Sequence, residues 1–355
     1  MSDELLDLRK RIDHLDEEIL ARLCERAQCA QRIGTIKQDK VFYRPEREAQ
    51  VLRRIAELNP GPLSEDAVRH VFREIMSCCL ALEHPLRVVY LGPAGTFSES
   101  ASRAHFGSSA NFLPQASIDE VFRAVEAGNA DYGVVPVENS TEGVVGITLD
   151  LLLAHSLQLC GEAQLRIHHH LLSKADGIGA ARRLYSHAQS LGQCHEWLNR
   201  NLPHLPRLPV ASNAEAARLA AEDDESCAIA GEAAAERYKL NKLASNIEDD
   251  PNNSTRFLVI SHHDAGPSGA DKTSLVCGAL NRPGAMHTLL EPLARHGVDM
   301  SRLQSRPAPG GLWEYVFYID ILGHRNDPEV ANALAELNER AGFVKILGSY
   351  PIATI

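Results

Sequence analysis

Three cations recur at helical spacing near the amino terminus: Arg9, Arg26 and Lys37. Arg26 and Lys37 stand 11 positions apart and so share one face of a helix. Arg9 lies about 25 Å from Arg26 along the same axis, at about 1.5 Å per residue. No small molecule reaches all three on one straight helix. Two copies packed antiparallel would bring Arg9 of one chain to Arg26 and Lys37 of the other, around a small dianion. The same charges also fit a solvated helix face.

A second set of polar residues sits where short strands end. VPVENSTEG (135–143) puts Glu138, Asn139, Ser140 and Thr141 directly after a buried-looking strand, and YSHAQSLGQC (185–194) puts Ser186, His187 and Gln193 at a similar junction. NNSTRF (252–257) adds Thr255 and Arg256 before the strand FLVI. Polar side chains at the carboxyl ends of strands point into ligand clefts in α/β folds. Singly, each hydroxyl or amide also reads as a helix cap. GPAGTFS (92–98) follows RVVYL and offers backbone amides at a helix start, where a carboxylate binds. RIHHHLL (166–172) and His262-His263 imitate metal ligands, but adjacent histidines on a strand face opposite ways and no acidic partner has ligand spacing, so they are read as structural or surface residues and no metal is expected. GIGAAR (177–182) lacks the third glycine of a dinucleotide fingerprint.

These residues need elements to hold them. Leu5, Leu8, Ile12, Leu15 and Ile19 recur every three or four positions, and the pattern extends to Ile33. One helix of about 35 residues would be about 50 Å long. That is too long for an 85-residue domain to cover, so a partner chain is expected. A second helix starts at Arg44-Pro45 and stops at Asn59-Pro60-Gly61, and a third opens at Ser64 and runs to about Glu83. From Leu86 short β-rich runs alternate with helical stretches, which is α/β patterning. DAGPSGADK (264–272) reads as a linker, after which the order βαββαβ describes a ferredoxin-like module. The expected domains are 1–85, 86–263 and 264–355, the first all-α, the second a two-lobed α/β domain and the third α+β.

Bulk properties narrow the function classes. The formal net charge of −11 disfavours nucleic-acid binding. No apolar run approaches the roughly 18 residues needed to span a bilayer. The eight cysteines are scattered without a C-x-x-C pair, which fits a reducing cytoplasm.

LLDLRKRIDHLDEEIL, Glu25-Arg26, Lys37 and YRPERE (43–48) resemble the all-helical chorismate mutase family. The resemblance implies that Arg9, Arg26 and Lys37 bind the substrate carboxylates and ether oxygen, and that Arg47 and Glu48 hold the ring hydroxyl side. It also implies an ether-oxygen donor at Glu83, where the family often has glutamine, and a contact at Cys79, where a serine can occur. Arg44 stands where an aspartate can occur. Such a rearrangement needs no nucleophile; a preplaced cation and a compressed substrate supply the rate.

GPAGTFS, VPVENSTEG, YSHAQ and TRF resemble prephenate dehydratase, in family order across 87–261. This implies a cleft between two lobes in which Thr255 assists departure of the ring hydroxyl, Arg256 helps position the substrate, and Asn139, Ser140, Thr141, Ser186 and Gln193 complete the polar lining. No cofactor is required. The last segment resembles the ACT-type amino-acid-binding domain, with Gly284, Ala285 and Met286 in place of GAL, and Gln304, Ser305, Arg306 and Pro307 in place of ESRP. Taken together, the resemblances imply conversion of chorismate through prephenate to phenylpyruvate, with feedback by phenylalanine, in a homodimer or higher homo-oligomer. Two alternatives stay open: a noncatalytic two-lobed amino-acid or keto-acid receptor, and a dehydratase with a degenerate mutase domain.

Overall fold

The computed structural model describes residues 3–36, 41–278, 283–308 and 315–353. Lys37 lies outside the described residues. Two compact units divide the chain, Met1–Leu86 with Phe106–Asn111, and Arg87–His105 with Phe112–Ile355.

The first unit is helical: α1 (Asp3–Ile36), α2 (Pro45–Glu57) and α3 (Glu65–Glu83). Pro45 occupies the first turn of α2, where its missing N–H costs nothing. Ser64 caps α3 by accepting the Ala67 amide at 3.2 Å, and Glu65 and Asp66 complement the amino-terminal dipole. Leu52 and Ala56 of α2 and Cys79 of α3 are buried, yet α1 has no buried residue. Leu8, Ile12 and Ile19 are each more than half exposed, so this part of the apolar stripe of α1 has no cover among the described residues.

In the second unit the chain runs β1 (Arg87–Leu91), α4 (Phe97–Phe106), β2 (Asn111–Gln115), α5 (Ile118–Glu126), β3 (Tyr132–Asn139), β4 (Gly143–Val144), α6 (Gly146–Ala154) and β5 (Gln158–Arg166). It then crosses to β6 (His170–Ser173), β7 (Arg183–His187), α7 (Ala188–Gln193), α8 (His195–Asn201), β8 (Arg207–Val210), α9 (Asn213–Glu222), β9 (Ser226–Ala230), α10 (Glu232–Tyr238) and β10 (Asn241–Ala244). A second crossing returns it as β11 (Ser254–Ser261). One sheet has the order β2-β1-β3-β11-β5 with β4 beside β3, and the other the order β10-β6-β9-β7-β8. These sheets are two lobes, and β11, which leads out of the second crossing, is inserted antiparallel between β3 and β5.

The remaining elements are β12 (Asp271–Gly278), α11 (Ala285–Arg295), β13 (Met300–Pro307), β14 (Tyr315–Leu322), α12 (Pro328–Arg340) and β15 (Phe343–Pro351). They form an antiparallel sheet of order β13-β14-β12-β15, with the helices on one face. The other face joins the first lobe: Val276, Val316, Tyr318, Leu347 and Tyr350 share one buried cluster with Val135, Leu149, Leu258 and Ile260. Gly348 of β15 approaches β5 so closely that a Cβ there would stand 2.1 Å from the Leu159 carbonyl oxygen.

Candidate active sites

The two crossings between the lobes hold each other. His169, in the first, donates its main-chain N–H to Glu248 in the second at 2.8 Å, and its carbonyl accepts the Ile247 amide at 2.9 Å. Beside them opens a cleft of about 260 Å³, lined by Thr141 and Glu142 of the first lobe, Gln193 of the second, and Glu248, Asp249 and Asn253 of the return crossing. The acidic residues already have donors. Glu248 meets His168 and the His169 amide, whose bonds hold its carboxyl below the usual range although burial alone would raise it. Asp249 caps α8 by accepting the Glu196 and Trp197 amides.

Thr255 stands just behind this lining. Its register partner on β3 is Asn139, whose Nδ2 donates to Thr255 Oγ1 at 2.9 Å and to Asn253 Oδ1 at 2.8 Å. Asn139 Oδ1 in turn accepts the backbone amides of Thr141 and Glu142 and the Thr141 hydroxyl. Gln193 Nε2 then crosses the lobes to Thr141 Oγ1 at 2.9 Å. Thr255, Asn139, Thr141 and Gln193 are thus one connected set. Ser140 braces it, its hydroxyl accepting the Ser254 amide.

Two residues expected in the cleft point elsewhere. Ser186 is fully buried, and its hydroxyl orients Asn213, which accepts it at 3.1 Å. Arg256 follows Thr255 on a strand, so its side chain leaves by the opposite face of the sheet. There it donates to Glu162 at 2.8 Å, to Asp320 at 2.5 Å and to the Tyr350 hydroxyl at 2.9 Å. Burial disfavours its charge, but Tyr350, Asp320 and Glu162 outweigh burial and raise its pKa. Lys272 donates to Glu162 as well, which balances two carboxylates with two cations. One strand away the pattern repeats: Glu138, the neighbour of Asn139, accepts from Arg302 of β13 at 2.7 Å. The ferredoxin-like sheet therefore grips, from behind, the chain neighbours of both Thr255 and Asn139. Within the GPAGTFS loop the Gly95 amide is taken by its own chain, donating to Glu99 at 2.7 Å.

Within the helical unit, Arg26 and Arg47 line a cavity of about 360 Å³ together with Arg54, Gln50, Val51 and Phe72. Glu48 turns instead to Arg73 at 3.8 Å; burial pushes its pKa up to about 7 against the pull of that guanidinium. Glu83 rests on Gly34 of α1, where a Cβ would stand 3.1 Å from its Cγ, and Cys79 is buried one turn earlier. Arg9 is exposed on α1.

In the third domain Gly284 takes φ 79°, a left-handed conformation that favours glycine, and Ala285 opens α11. Met286 packs on the local core. The Gln304 amide donates to the Ser305 carbonyl oxygen. Arg306 departs from its expected role: it donates to Asp150 of α6 at 2.8 and 3.1 Å and lies over Gly146, where a Cβ would stand 2.6 Å from its guanidinium. Among the described residues no group of three His, Cys, Asp or Glu side chains converges on a metal site.

Comparison with known proteins gives three family matches in order: Chorismate mutase type II over 8–84, Prephenate dehydratase over 88–265 and ACT domain over 273–339. A protein of Neisseria gonorrhoeae described as bifunctional chorismate mutase/prephenate dehydratase is 54% identical over 357 residues, covering 99% of each chain. This chain belongs to the bifunctional chorismate mutase/prephenate dehydratase family. A relative of the same description from Stutzerimonas stutzeri is 52% identical over 365 residues, 100% of this chain and 99% of its own. Among solved structures, prephenate dehydratase from Arthrobacter aurescens in complex with L-Phe is 36% identical with a TM-score of 0.69, covering 75% of this chain and 90% of that one.

Three residues of this family member escaped the sequence reading. Arg54 lies two helical turns after Arg47, a spacing that was there to be read. Asn253 lay inside the quoted motif NNSTRF; it lines the cleft, and its Nδ2 is buried without a hydrogen-bond partner among the described residues. His169 lay in RIHHHLL, read as structural or surface; only the crossing of two lobes brings it to Gln193, 2.9 Å away.

Proposed function

We infer that this chain rearranges chorismate to prephenate and converts prephenate to phenylpyruvate. The observation that carries the second step is the Thr255 hydroxyl. Its oxygen accepts from Asn139, and among the described residues its hydrogen has no acceptor. In the proposed reaction the bond from the ring to its carboxylate breaks and carbon dioxide leaves. The freed electron pair makes the ring aromatic, and the ring C–O bond breaks with the hydroxyl leaving as water once it takes a proton from solvent. Thr255 donates its hydrogen bond to that departing oxygen. Gln193 supplies a further N–H donor at the cleft.

For the first step, Arg26 and Lys37 are read as ligands of the substrate carboxylates and ether oxygen with Glu83 as a further ether-oxygen donor, Arg47 and Glu48 as holding the ring hydroxyl side with Arg54 near Arg47, and Arg9 as the contribution of a second copy. The uncovered stripe of α1 supports that pairing. The oligomer is therefore proposed as at least a dimer, with mutase sites shared between chains. The third domain is read as the phenylalanine sensor, with Gly284, Ala285, Met286, Gln304 and Ser305 at its effector cleft. β13 is an edge strand, open to pairing with a second copy. The proposed location is the cytoplasm, where the free thiols stay reduced. No described helix is long and apolar enough to cross a membrane.

Incubating the purified chain with chorismate tests this reading. Prephenate followed by phenylpyruvate is expected, and absence of both would leave the noncatalytic receptor standing. Prephenate supplied directly separates a dehydratase with a degenerate mutase, which would turn it over while leaving chorismate untouched.

A further inference from the structure

The bonds behind the cleft run in one direction, and that direction can be worked out from fixed donors. The backbone amides of Thr141 and Glu142 donate to Asn139 Oδ1, which sets the amide orientation of Asn139. The Thr141 hydroxyl, 2.7 Å from the same oxygen, must donate to it. Thr141 Oγ1 is then an acceptor, so the group of Gln193 that faces it at 2.9 Å is the NH₂. Gln193 Oε1 consequently faces His169 Nε2 at 2.9 Å, and that nitrogen must carry the proton.

The surroundings of His169 agree. Its side chain is buried, and its Nδ1 has no hydrogen-bond partner among the described residues. A proton on Nδ1 would be a buried donor without an acceptor, whereas a proton on Nε2 meets the Gln193 carbonyl oxygen. Phe97 of α4 meets the ring edge-on at 5.6 Å. The charged or titratable groups around it are Glu248 on the return crossing and its neighbours His168 and His170, and burial holds its pKa below the usual histidine value.

We propose that His169 is a positioning residue for the dehydratase reaction: protonated on Nε2, it fixes the Gln193 amide in the one orientation that makes the cross-lobe bond to Thr141 and leaves a second N–H at the cleft. Without that donor the Gln193 amide is free to turn, the bond across the lobes is lost, and a carbonyl oxygen can replace an N–H beside an anionic substrate. The inference rests on the dehydratase reading; turnover of prephenate by the unaltered chain tests that reading separately.

Three variants assayed on prephenate test the proposal. His169→Phe keeps an aromatic ring against Phe97 but has no donor, and its kcat should fall about 10- to 100-fold, the range for a misplaced site group. His169→Gln can donate from an amide and should stay within about threefold of the unaltered chain. Because His169 acts through Gln193, adding His169→Phe to Gln193→Ala should cause no further loss. Equal damage from the Phe and Gln variants, or losses that multiply in the double variant, would overturn the proposal. Should His169→Phe fail to fold, the imidazole ¹⁵N spectrum of the unaltered chain decides, with the His169 signal assigned by its loss in His169→Gln. An Nε2-protonated ring is expected, and an Nδ1-protonated ring would refute the assignment.

Discussion

Thr255 and Arg256 are adjacent in sequence and face opposite sides of one sheet: the hydroxyl stands behind the cleft, the guanidinium in a buried cluster with Glu162, Asp320 and Tyr350. Removing Arg256 leaves those acids without their cation, so Arg256→Ala should cost about 3–5 kcal/mol of stability. Urea unfolding of the purified variant checks this, and a loss under about 1 kcal/mol would mark the cluster as a surface-like pair. His169 and His170 both have pKa values lowered chiefly by burial. The unfolded chain takes up protons near pH 6.5 that the folded chain resists, so this stability is complete above that pH and is lost as pH falls below it. His169→Gln should therefore show a smaller drop in Tm between pH 7.5 and 5.5 than the unaltered chain. In the helical unit, Glu83→Gln keeps a donor at the proposed ether-oxygen position and should retain mutase activity that Glu83→Ala loses; equal activity of the two variants would make Glu83 an ordinary helix carboxylate. The motifs name the residues but not their directions: Arg256 turns to Glu162, Asp320 and Tyr350, and Ser186 to Asn213. Motif membership does not say which face of a strand meets the cleft, nor whether a hydroxyl is spent on a neighbour.

At the scale of elements, α1 was legible from its apolar period alone, because every third or fourth residue repeats the same surface. The Ser64 cap and the Pro45 start of α2 were legible for the same local reason. In the proposed dimer a second copy covers α1. If the mutase sites are shared, Arg9→Ala and Arg26→Ala chains should each lack mutase activity, yet mixing and refolding them together should restore one site in two in the mixed dimers. Chorismate consumption by the mixture measures this, and no recovery would place each site within one chain. Less legible was the fate of α6, whose carboxyl end receives Lys345 of β15. That ammonium donates to the Leu152, Leu153 and His155 carbonyl oxygens, a cap supplied from about 190 residues away in sequence.

Across the whole molecule, the ferredoxin-like sheet is both a candidate sensor and part of the dehydratase core. Tyr318 donates to the Leu149 carbonyl oxygen at 2.8 Å, and five residues of that sheet lie in the cluster under the first lobe. A turn-rich linker at 264–272 suggested a detachable module, but apolar contacts between distant segments leave no mark in local sequence. Deleting 272–355 should therefore destabilise the dehydratase lobes as well as remove the proposed effector cleft. A shortened chain that kept full activity and Tm would contradict that. The most direct test of the central claim is the fate of chorismate in a Thr255→Ala chain. Loss of one donor to the departing oxygen should slow the dehydratase about 10²- to 10³-fold, so prephenate should accumulate at the unaltered mutase rate with little phenylpyruvate. Undiminished phenylpyruvate formation would contradict the account.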